Sequence, residues 1–357
     1  MNQEAHGLNL YEFFYAEKNK NQPNRDTNIV LVEIENDRKK IADQLNIIKG
    51  YKPAVIGIDA IFTARKDSLR DSKLIESVKP ANNIVFASRM DVNNSKLSPE
   101  VSFFIKPENG INSGYINFET DRYKVVREYA PFWEANGEVD PAFTSRIIQL
   151  YSPEKFTQLK KRHHAKENIT YTGNTERYTA ITKEDLNEYN DKNQLSSLLK
   201  NKIILLGHFI KYPPLDTEDI HFSPLNTKAG NNSNPDMYGV VIHANILSMI
   251  LDNSYPKITS AAVSFLIAFV FAFLFLLYII YTYSENDPPS YSKMVLIQFL
   301  LIAFVLYFLL QVYNFYSWKV PLSPVLISLI LCVELSRFYK LIALRLNKKI
   351  NYKTVFT

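Results

Sequence analysis

The chain has 357 residues, a net charge of +5, one cysteine and a mean hydropathy of −0.14. Six basic residues and no acidic residue lie between Arg337 and the C-terminus, so the chain before Arg337 is close to neutral. This balance argues against nucleic-acid binding, which needs a concentrated basic face on a folded domain. The lone Cys332 excludes an intrachain disulfide and zinc sites built from several cysteines.

The first part of the polar region predicts alternating strands and helices. Apolar, β-branched runs predict strands at 27–34, 54–62 and 82–90. The spacing of Ile41, Leu45 and Ile48 predicts a helix after the first strand, and 71–80 predicts a second short helix. This order is typical of an α/β domain with a mainly parallel or mixed sheet and flanking helices. Ligands usually bind at the carboxyl ends of such strands, where Asp59 lies.

The second part of the polar region is less regular. Residues 114–133 predict two strands joined by a polar turn, and 140–156 predict a helix capped by Asp140. Residues 160–200 are polar and are interpreted as a surface excursion. A buried strand at 200–209, a long loop and a helix at 239–252 complete the region, and the helix leads into an apolar run.

Three apolar runs are long enough to cross a bilayer, which takes roughly 20 helical residues. They lie at 259–281, 294–313 and 320–340. We expect Gln298 in the second run to hydrogen-bond to a neighbouring helix. Glu334 and Arg337, one helical turn apart in the third run, predict a pair at the membrane interface.

The basic tail predicts the orientation of these spans. By the positive-inside rule the C-terminus lies in the cytoplasm, so three crossings place the polar domain outside. The first 26 residues contain no apolar segment that would export it. We therefore expect a hydrophobic segment before this sequence in the natural protein, although a reverse-anchor first span or the opposite orientation would also resolve the conflict.

Candidate functional residues are few. The sequence lacks phosphate-binding glycine loops, GxSxG and HExxH. These absences argue against the common classes of nucleotide-dependent and hydrolytic enzymes. His163 and His164 lie in a basic run and are interpreted as solvated surface residues rather than metal ligands. Polar residues in apolar surroundings mark four places: Asp59; Asp121 with Arg127; Asp219 with His221; and His243 with Asn245. Each place is interpreted either as a functional site or as a buried polar group whose hydrogen bonds are satisfied within the fold.

Five segments in order make the sequence resemble the second CHASE family of extracellular sensor domains. They are the strand–helix–strand run ending in "VIGIDAIF", then "GYINFETDRYKVVREY", "KIILLGHF", "EDIHFSPLN" and "PDMYGVVIHANILSMIL". The resemblance implies an extracytoplasmic sensor with one hydrophobic helix before it and three after it, regulating cyclase or kinase modules. The motif positions it implies are Asp59, Asp121, Arg127, Asp219, Pro224, Gly239, His243, Ala244 and Asn245.

The resemblance and the residues together predict a regulatory protein. We expect a multi-pass subunit of the bacterial inner membrane, without its own output domain, that senses a small molecule or an envelope protein and signals through a membrane or cytoplasmic partner. A structural subunit of an envelope complex is the alternative. No enzymatic activity, nucleic acid or cofactor is expected; a metal held by Asp59, Asp219 and His243 would reverse the expectation on activity. The predicted organisation is a polar segment at 1–26, a sensor domain at 27–258, the three spans, and a basic cytoplasmic tail at 341–357.

Overall fold

A computed structural model of the chain describes residues 11, 26–79, 82–90, 99–106, 110–121, 124–135, 138–188, 192–210, 219–226, 234–284, 290–316, 318–350 and 354. The chain divides into two compact units, Met1–Tyr255 and Pro256–Thr357. The predicted polar segment at 1–26 falls almost entirely outside the described residues.

The first unit contains strands and helices in alternation. Its strands are β1 (Asp26–Glu33), β2 (Val55–Ile58), β3 (Ile84–Met90), β4 (Pro99–Glu100), β5 (Asn112–Tyr115), β6 (Glu119–Thr120), β7 (Val126–Tyr129), β8 (Phe132–Ala135), β9 (Glu138–Pro141), β10 (Glu167–Asn168), β11 (Tyr178–Ile181), β12 (Ile203–Gly207), β13 (Ile220–His221) and β14 (Met237–Tyr238). Its helices are α1 (Arg38–Gly50), α2 (Ser68–Val78), α3 (Phe143–Tyr151), α4 (Pro153–Lys161), α5 (Lys183–Glu188), α6 (Lys192–Leu199) and α7 (Gly239–Asp252), with a 3-10 turn at Thr175–Arg177.

The central sheet confirms the predicted mixed α/β class. Its strand order is β11-β1-β12-β2-β3-β4, and β5 also pairs with β3. All of these pairs are parallel except β3 with β4. Among the described residues, three smaller antiparallel sheets, β10-β7-β6, β13-β14 and β8-β9, belong to the same unit. The parallel order brings the carboxyl ends of β1, β12, β2 and β3 to one edge of the sheet.

Helices cover both faces of this sheet, which explains why its inner strands β1, β12 and β2 contain unbroken apolar runs. Successive side chains of a strand point to opposite faces. Ile29 and Leu31 therefore join the core beneath α3, α4 and α7, whereas Val30 and Val32 join the core beneath α1, α2 and α6.

The predicted cap at Asp140 is wrong. Asp140 lies in β9, where it pairs with Trp133 of β8, and its carboxylate lies 3.6 Å from Arg146. The helix begins two residues later, after Ala142, with no side-chain cap. Asp140 belongs to the hairpin rather than to a helix cap because its backbone pairs with strand β8. The predicted single helix also ends at Tyr151, because Ser152 caps a new helix whose first residue is Pro153.

Residues 160–200 are not a surface excursion. They contain β11, which pairs with β1 at the edge of the central sheet through Val30↔Thr179 and Val32↔Ile181. Helices α5 and α6 follow and bury Leu186, Leu195 and Leu199 in the core beneath the sheet. The segment is polar because an edge strand and short helices expose much of their length.

The second unit consists of three long helices, α8 (Ala261–Ser284), α9 (Tyr291–Tyr316) and α10 (Leu322–Ile350). Short strands β15 (Lys257–Ile258) and β16 (Trp318–Lys319) pair in parallel within it. Among the described residues, two helices, Ala261–Tyr283 and Tyr291–Tyr316, are long and apolar enough to cross a membrane. The third predicted span, 320–340, begins two residues before α10 and otherwise lies in it, and α10 is not one of those two helices.

The polar side chains of the second unit have partners on neighbouring helices. The Gln298 amide donates to the carbonyls of Leu329 and Ile330 in α10, each at 2.7 Å, which confirms the predicted interhelical bond. The Tyr291 hydroxyl donates to the Glu334 carboxylate, and the Arg337 guanidinium lies 5.0 Å from the centre of the Tyr291 ring. In the described part of this unit, Glu334 and Arg337 thus both contact Tyr291.

Candidate functional site at the carboxyl edge of the central sheet

Two strand ends and the start of α7 meet at this edge. Asp59 directly follows β2, and its backbone N–H donates to the Leu206 carbonyl of β12 at 2.7 Å. Strand β12 ends at Gly207, where an added Cβ would lie 2.7 Å from Cβ of Val240 in α7 and 3.3 Å from Cβ of Asp59. Glycine at this position therefore lets the first turn of α7 lie directly against the end of the sheet.

Asp59 and His243 form a buried pair. Oδ2 of Asp59 lies 4.0 Å from Nε2 of His243, and the side chains are 5% and 4% exposed. This distance is too long for a hydrogen bond. Within the described residues, Asp59 Oδ2 and His243 Nδ1 have no hydrogen-bond partner. Buried polar atoms are nearly always paired, so this pair is an exception at the place where ligands bind in related architectures.

Burial decides where the pair carries its proton. Burial, followed by the nearby Asp219 carboxylate, raises the pKa of Asp59 to about 8. Burial lowers the pKa of His243 to about 3, although Asp219 acts in the opposite direction. At neutral pH the pair therefore consists of a protonated carboxyl and a neutral imidazole. It is not an ion pair, because two charges at this depth would lose more hydration energy than they recover.

Aromatic rings enclose the imidazole. The centre of the Phe118 ring lies 4.7 Å from that of His243 at an interplanar angle of 34°, and the Phe143 ring lies 5.1 Å away at 66°. Phe118 also makes an edge contact with His221, with the ring centres 5.3 Å apart. These rings account for the low dielectric around His243 and connect it to a second, more exposed histidine.

Asp219 and His221 form the solvent-facing part of the site. Their side chains are 46% and 29% exposed, and His221 Nε2 lies 3.2 Å from Asp219 Oδ1. The Asp219 carbonyl accepts from the backbone N–H of Gly239 at 3.0 Å. A Cβ added to Gly239 would lie 2.7 Å from Asp219 Oδ2, so a larger residue at the first position of α7 would displace this carboxylate. A negative charge there interacts favourably with the helix dipole.

We call Asp59, Asp219, His221, His243, Phe118 and Phe143 the sheet-end cluster. Its two halves differ in chemistry: a neutral buried donor–acceptor pair lies inside, and a carboxylate–imidazole pair faces solvent. Such an arrangement suits recognition of a polar ligand or a protein backbone, since both offer hydrogen-bonding groups that the inner pair lacks.

The geometry does not support a metal centre in the described residues. No group of three His, Cys, Asp or Glu side chains there is arranged to hold a metal ion. The hypothetical ligands Asp59, Asp219 and His243 do not form such a group, and a protonated Asp59 is a poor ligand. His163 and His164 are exposed, and His164 Nδ1 lies 3.1 Å from Glu167 Oε1.

Comparison with known proteins assigns the chain to a family. The CHASE2 domain family matches residues 10–280, which include the whole central sheet, the sheet-end cluster and most of α8. The chain belongs to the CHASE2 family. CHASE2 domains are extracellular sensor domains, and the resemblance inferred from the five sequence segments is thereby confirmed. No curated protein and no solved structure matches the chain.

Asp121 and Arg127 lie apart from the sheet-end cluster in the CHASE2 domain and stabilise a hairpin. Arg127 Nε donates to Asp121 Oδ2 at 2.9 Å, and the other oxygen of Asp121 accepts from the Val125 backbone at 3.0 Å. Arg127 therefore supplies the partner that the sequence predicts for this carboxylate. The hairpin reaches the cluster indirectly, since Phe118 precedes β6 and Val126 donates to the Phe222 carbonyl at 3.0 Å.

Asn245 is only two residues after His243, yet its amide is fully engaged. Its Oδ1 accepts from the Thr172 backbone at 2.8 Å, and its Nδ2 donates to the carbonyls of Gly173 at 3.0 Å and Val241 at 2.9 Å. The side chain is completely buried. Asn245 thus fastens the 172–173 segment to α7, which is a structural role in the CHASE2 domain.

The sequence prediction looked for polar residues in apolar runs, so it did not identify the uncharged residues that shape the site. Phe118 and Phe143 line the imidazole, and Gly207 permits the approach of α7. It also missed Asp236, whose carboxylate accepts from the backbone and hydroxyl of Ser223 and so fixes the segment carrying Asp219 and His221. Burial raises the pKa of Asp236, and the bonds from Ser223 oppose that shift. The "PD" dipeptide before α7 was the available signal.

Proposed function

We propose that this chain is a membrane-anchored sensor or regulatory subunit whose CHASE2 domain lies outside the cytoplasmic membrane and passes its state to a partner protein. The observation that carries the proposal is the Asp59–His243 pair, which is buried beside α7 without a hydrogen bond between its side chains. A ligand that satisfied these atoms, or changed their protonation, would favour one arrangement of α7 over another.

The connection from α7 to the membrane is short. Only residues 253–260 separate the end of α7 at Asp252 from the start of α8 at Ala261. Asn253 adopts a left-handed conformation with φ of 53°, and its N–H caps the last turn of α7. A shift of α7 would therefore be passed along a well-defined chain segment rather than absorbed in a long linker.

A comparison of two variants tests this function. Asp59→Asn changes only the inner pair, whereas Asp43→Asn makes the same chemical change on an exposed face of α1. After purification of the full chain in mild detergent, a sensor should show a changed yield of its co-purifying partner with the first variant only. A constant partner yield with both variants would contradict a sensing role for the pair.

We further propose three membrane crossings, with the basic tail in the cytoplasm. In α10 the 18 residues from Leu322 to Tyr339 carry only Glu334 and Arg337 as charges, and both contact Tyr291 of α9. In a Cys332→Ser background, Lys161→Cys on the CHASE2 surface should react with an impermeant maleimide in intact cells, and Lys349→Cys should not. Labelling of both positions would overturn the three-crossing topology.

A structural subunit of an envelope complex is the second candidate. Asn245 and the Asp121–Arg127 pair favour it, because these motif residues are engaged in internal hydrogen bonds that stabilise one surface. It predicts a stoichiometric complex that is unchanged by Asp59→Asn. The partner yield described above therefore distinguishes the two functions.

A further inference from the structure

A cavity lined by both charged and apolar side chains lies among the three helices of the second unit. Its volume is about 330 Å³. Its polar lining includes Tyr283 at the end of α8, Tyr291 at the start of α9, and Arg337 and Lys340 of α10. Ile279, Val333 and Leu344 are among the apolar residues of its wall.

The two cations are held over the two tyrosine rings. The Arg337 guanidinium lies 5.0 Å from the centre of the Tyr291 ring, and Lys340 Nζ lies 4.7 Å from that of Tyr283. Such cation–π contacts fix the direction of each side chain without neutralising its charge. Glu334 accepts the hydrogen bond from the Tyr291 hydroxyl. Among the described residues that line the cavity, Arg337 and Lys340 thus present two oriented positive charges.

The position of the cavity selects the kind of anion. Tyr283 and Tyr291 stand at the ends of the two helices that are long and apolar enough to cross a membrane, and tyrosines at such positions lie at the level of the lipid head groups. A phosphate at Arg337 and Lys340 would leave acyl chains beside the apolar wall. Basic pockets between helices at this level bind anionic head groups.

We propose that this cavity binds the phosphate of an anionic phospholipid. The inference does not rest on the proposed sensing function, because it uses only residues of the second unit. A bound lipid would join α8, which follows the first unit in the chain, to α10, which carries the basic tail.

The test is native mass spectrometry of the full chain in detergent, titrated with phosphatidylglycerol, with phosphatidylcholine or with inorganic phosphate. Wild type should retain one phosphatidylglycerol and discriminate against phosphatidylcholine. The double variant R337Q/K340Q should bind phosphatidylglycerol about 30-fold more weakly, because each basic residue contributes about a factor of five at a lipid surface. The matched control K348Q/K349Q removes the same charge from α10 outside the cavity and should bind normally.

Three results would overturn the proposal. Equal retention of phosphatidylcholine by wild type would show that head-group charge is not recognised, and this comparison does not depend on whether any variant folds. Equal losses in the two double variants would indicate diffuse charge attraction. Displacement of phosphatidylglycerol by inorganic phosphate alone would identify a site for a soluble anion.

Discussion

Replacing Asp59 by Asn removes one proton-binding group from the sheet-end cluster while keeping nearly the same shape. In the folded chain, Asp59 and His243 together hold one proton between about pH 3 and about pH 8, because burial raises the pKa of the carboxyl to about 8 and lowers that of the imidazole to about 3. In the unfolded chain, the ordinary values of 3.8 and 6.5 apply. The two states therefore bind the same number of protons from pH 3.8 to pH 6.5, and a different number above it.

The sign of the effect follows from this count. Above pH 6.5 the folded pair keeps its proton and the unfolded pair has none, so the free energy of unfolding falls as the pH rises, by about 1.4 kcal/mol per pH unit. From pH 6.5 to pH 8 the loss amounts to about 2 kcal/mol. Below pH 6.5 the contributions of Asp59 and His243 cancel, and the pair gives no pH dependence down to about pH 4.

The Asp59→Asn variant should behave differently, because only His243 titrates in it. Its folded state keeps a neutral imidazole down to about pH 3, whereas the unfolded imidazole is protonated below its ordinary pKa of 6.5. The contribution of His243 to the free energy of unfolding is then constant above pH 6.5 and decreases as the pH falls below 6.5. The stability of the variant relative to wild type should therefore rise with pH on both sides of 6.5.

Thermal unfolding of the full chain in detergent at a series of pH values measures this difference. For a unit of about this size, 2 kcal/mol corresponds to a change of about 4–8 °C in Tm. The Tm difference between Asp59→Asn and wild type should grow by that amount from pH 6.5 to pH 8, whereas Asp43→Asn, on an exposed carboxyl, should show no such trend. A Tm difference independent of pH would refute the one-proton pair.

Two substitutions test the scaffold of the site by thermal unfolding. Gly207→Ala should destabilise the chain by about 1–3 kcal/mol, because the new methyl would overlap Val240. The control Gly50→Ala meets no atom within 4 Å and should be nearly neutral. Equal Tm changes in the two variants would contradict the close approach of α7. Asn245→Ala should cost about 2 kcal/mol, since it leaves unpaired the partners of a completely buried amide, including the partly buried Thr172 N–H. An unchanged Tm would show that these bonds are replaced by water.

The sequence predicted the part of the fold whose residues are buried on both sides. Strands β1, β2, β3 and β12 each contain an apolar run because helices cover both faces of the sheet, and α1 shows the helical spacing of Ile41, Leu45 and Ile48. For the same reason it located Asp59, since a carboxylate directly after such a strand must lie at the carboxyl edge of the sheet.

Edge strands and hairpins were not predictable in the same way. Strand β11 buries only Tyr178 and Ile181, which lie on opposite faces of the sheet, and its pairing with β1 makes it part of the sheet. Asp140 looked like a helix cap because local sequence favours a cap before Pro141, but the β8–β9 hairpin fixes its backbone instead. Both errors have one cause: pairing with another strand decided a conformation for which local propensity gave another answer.

The segment "IHAN" shows why the sequence alone could not tell which of two polar residues belongs to the sheet-end cluster. His243 and Asn245 are both buried polar residues on α7, and nothing in the sequence distinguishes them. Two residues correspond to about 200° around a helix, so they face opposite directions. Asn245 meets the backbone of 172–173, which satisfies its amide, whereas His243 meets Asp59 and two phenylalanine rings, which do not satisfy its Nδ1. In the described part of the chain, His243 Nδ1 has no hydrogen-bond partner, and this is why the proposed ligand response is assigned to His243 rather than to Asn245. The difference between the two residues exists only once the sheet, the hairpin and α7 are in place.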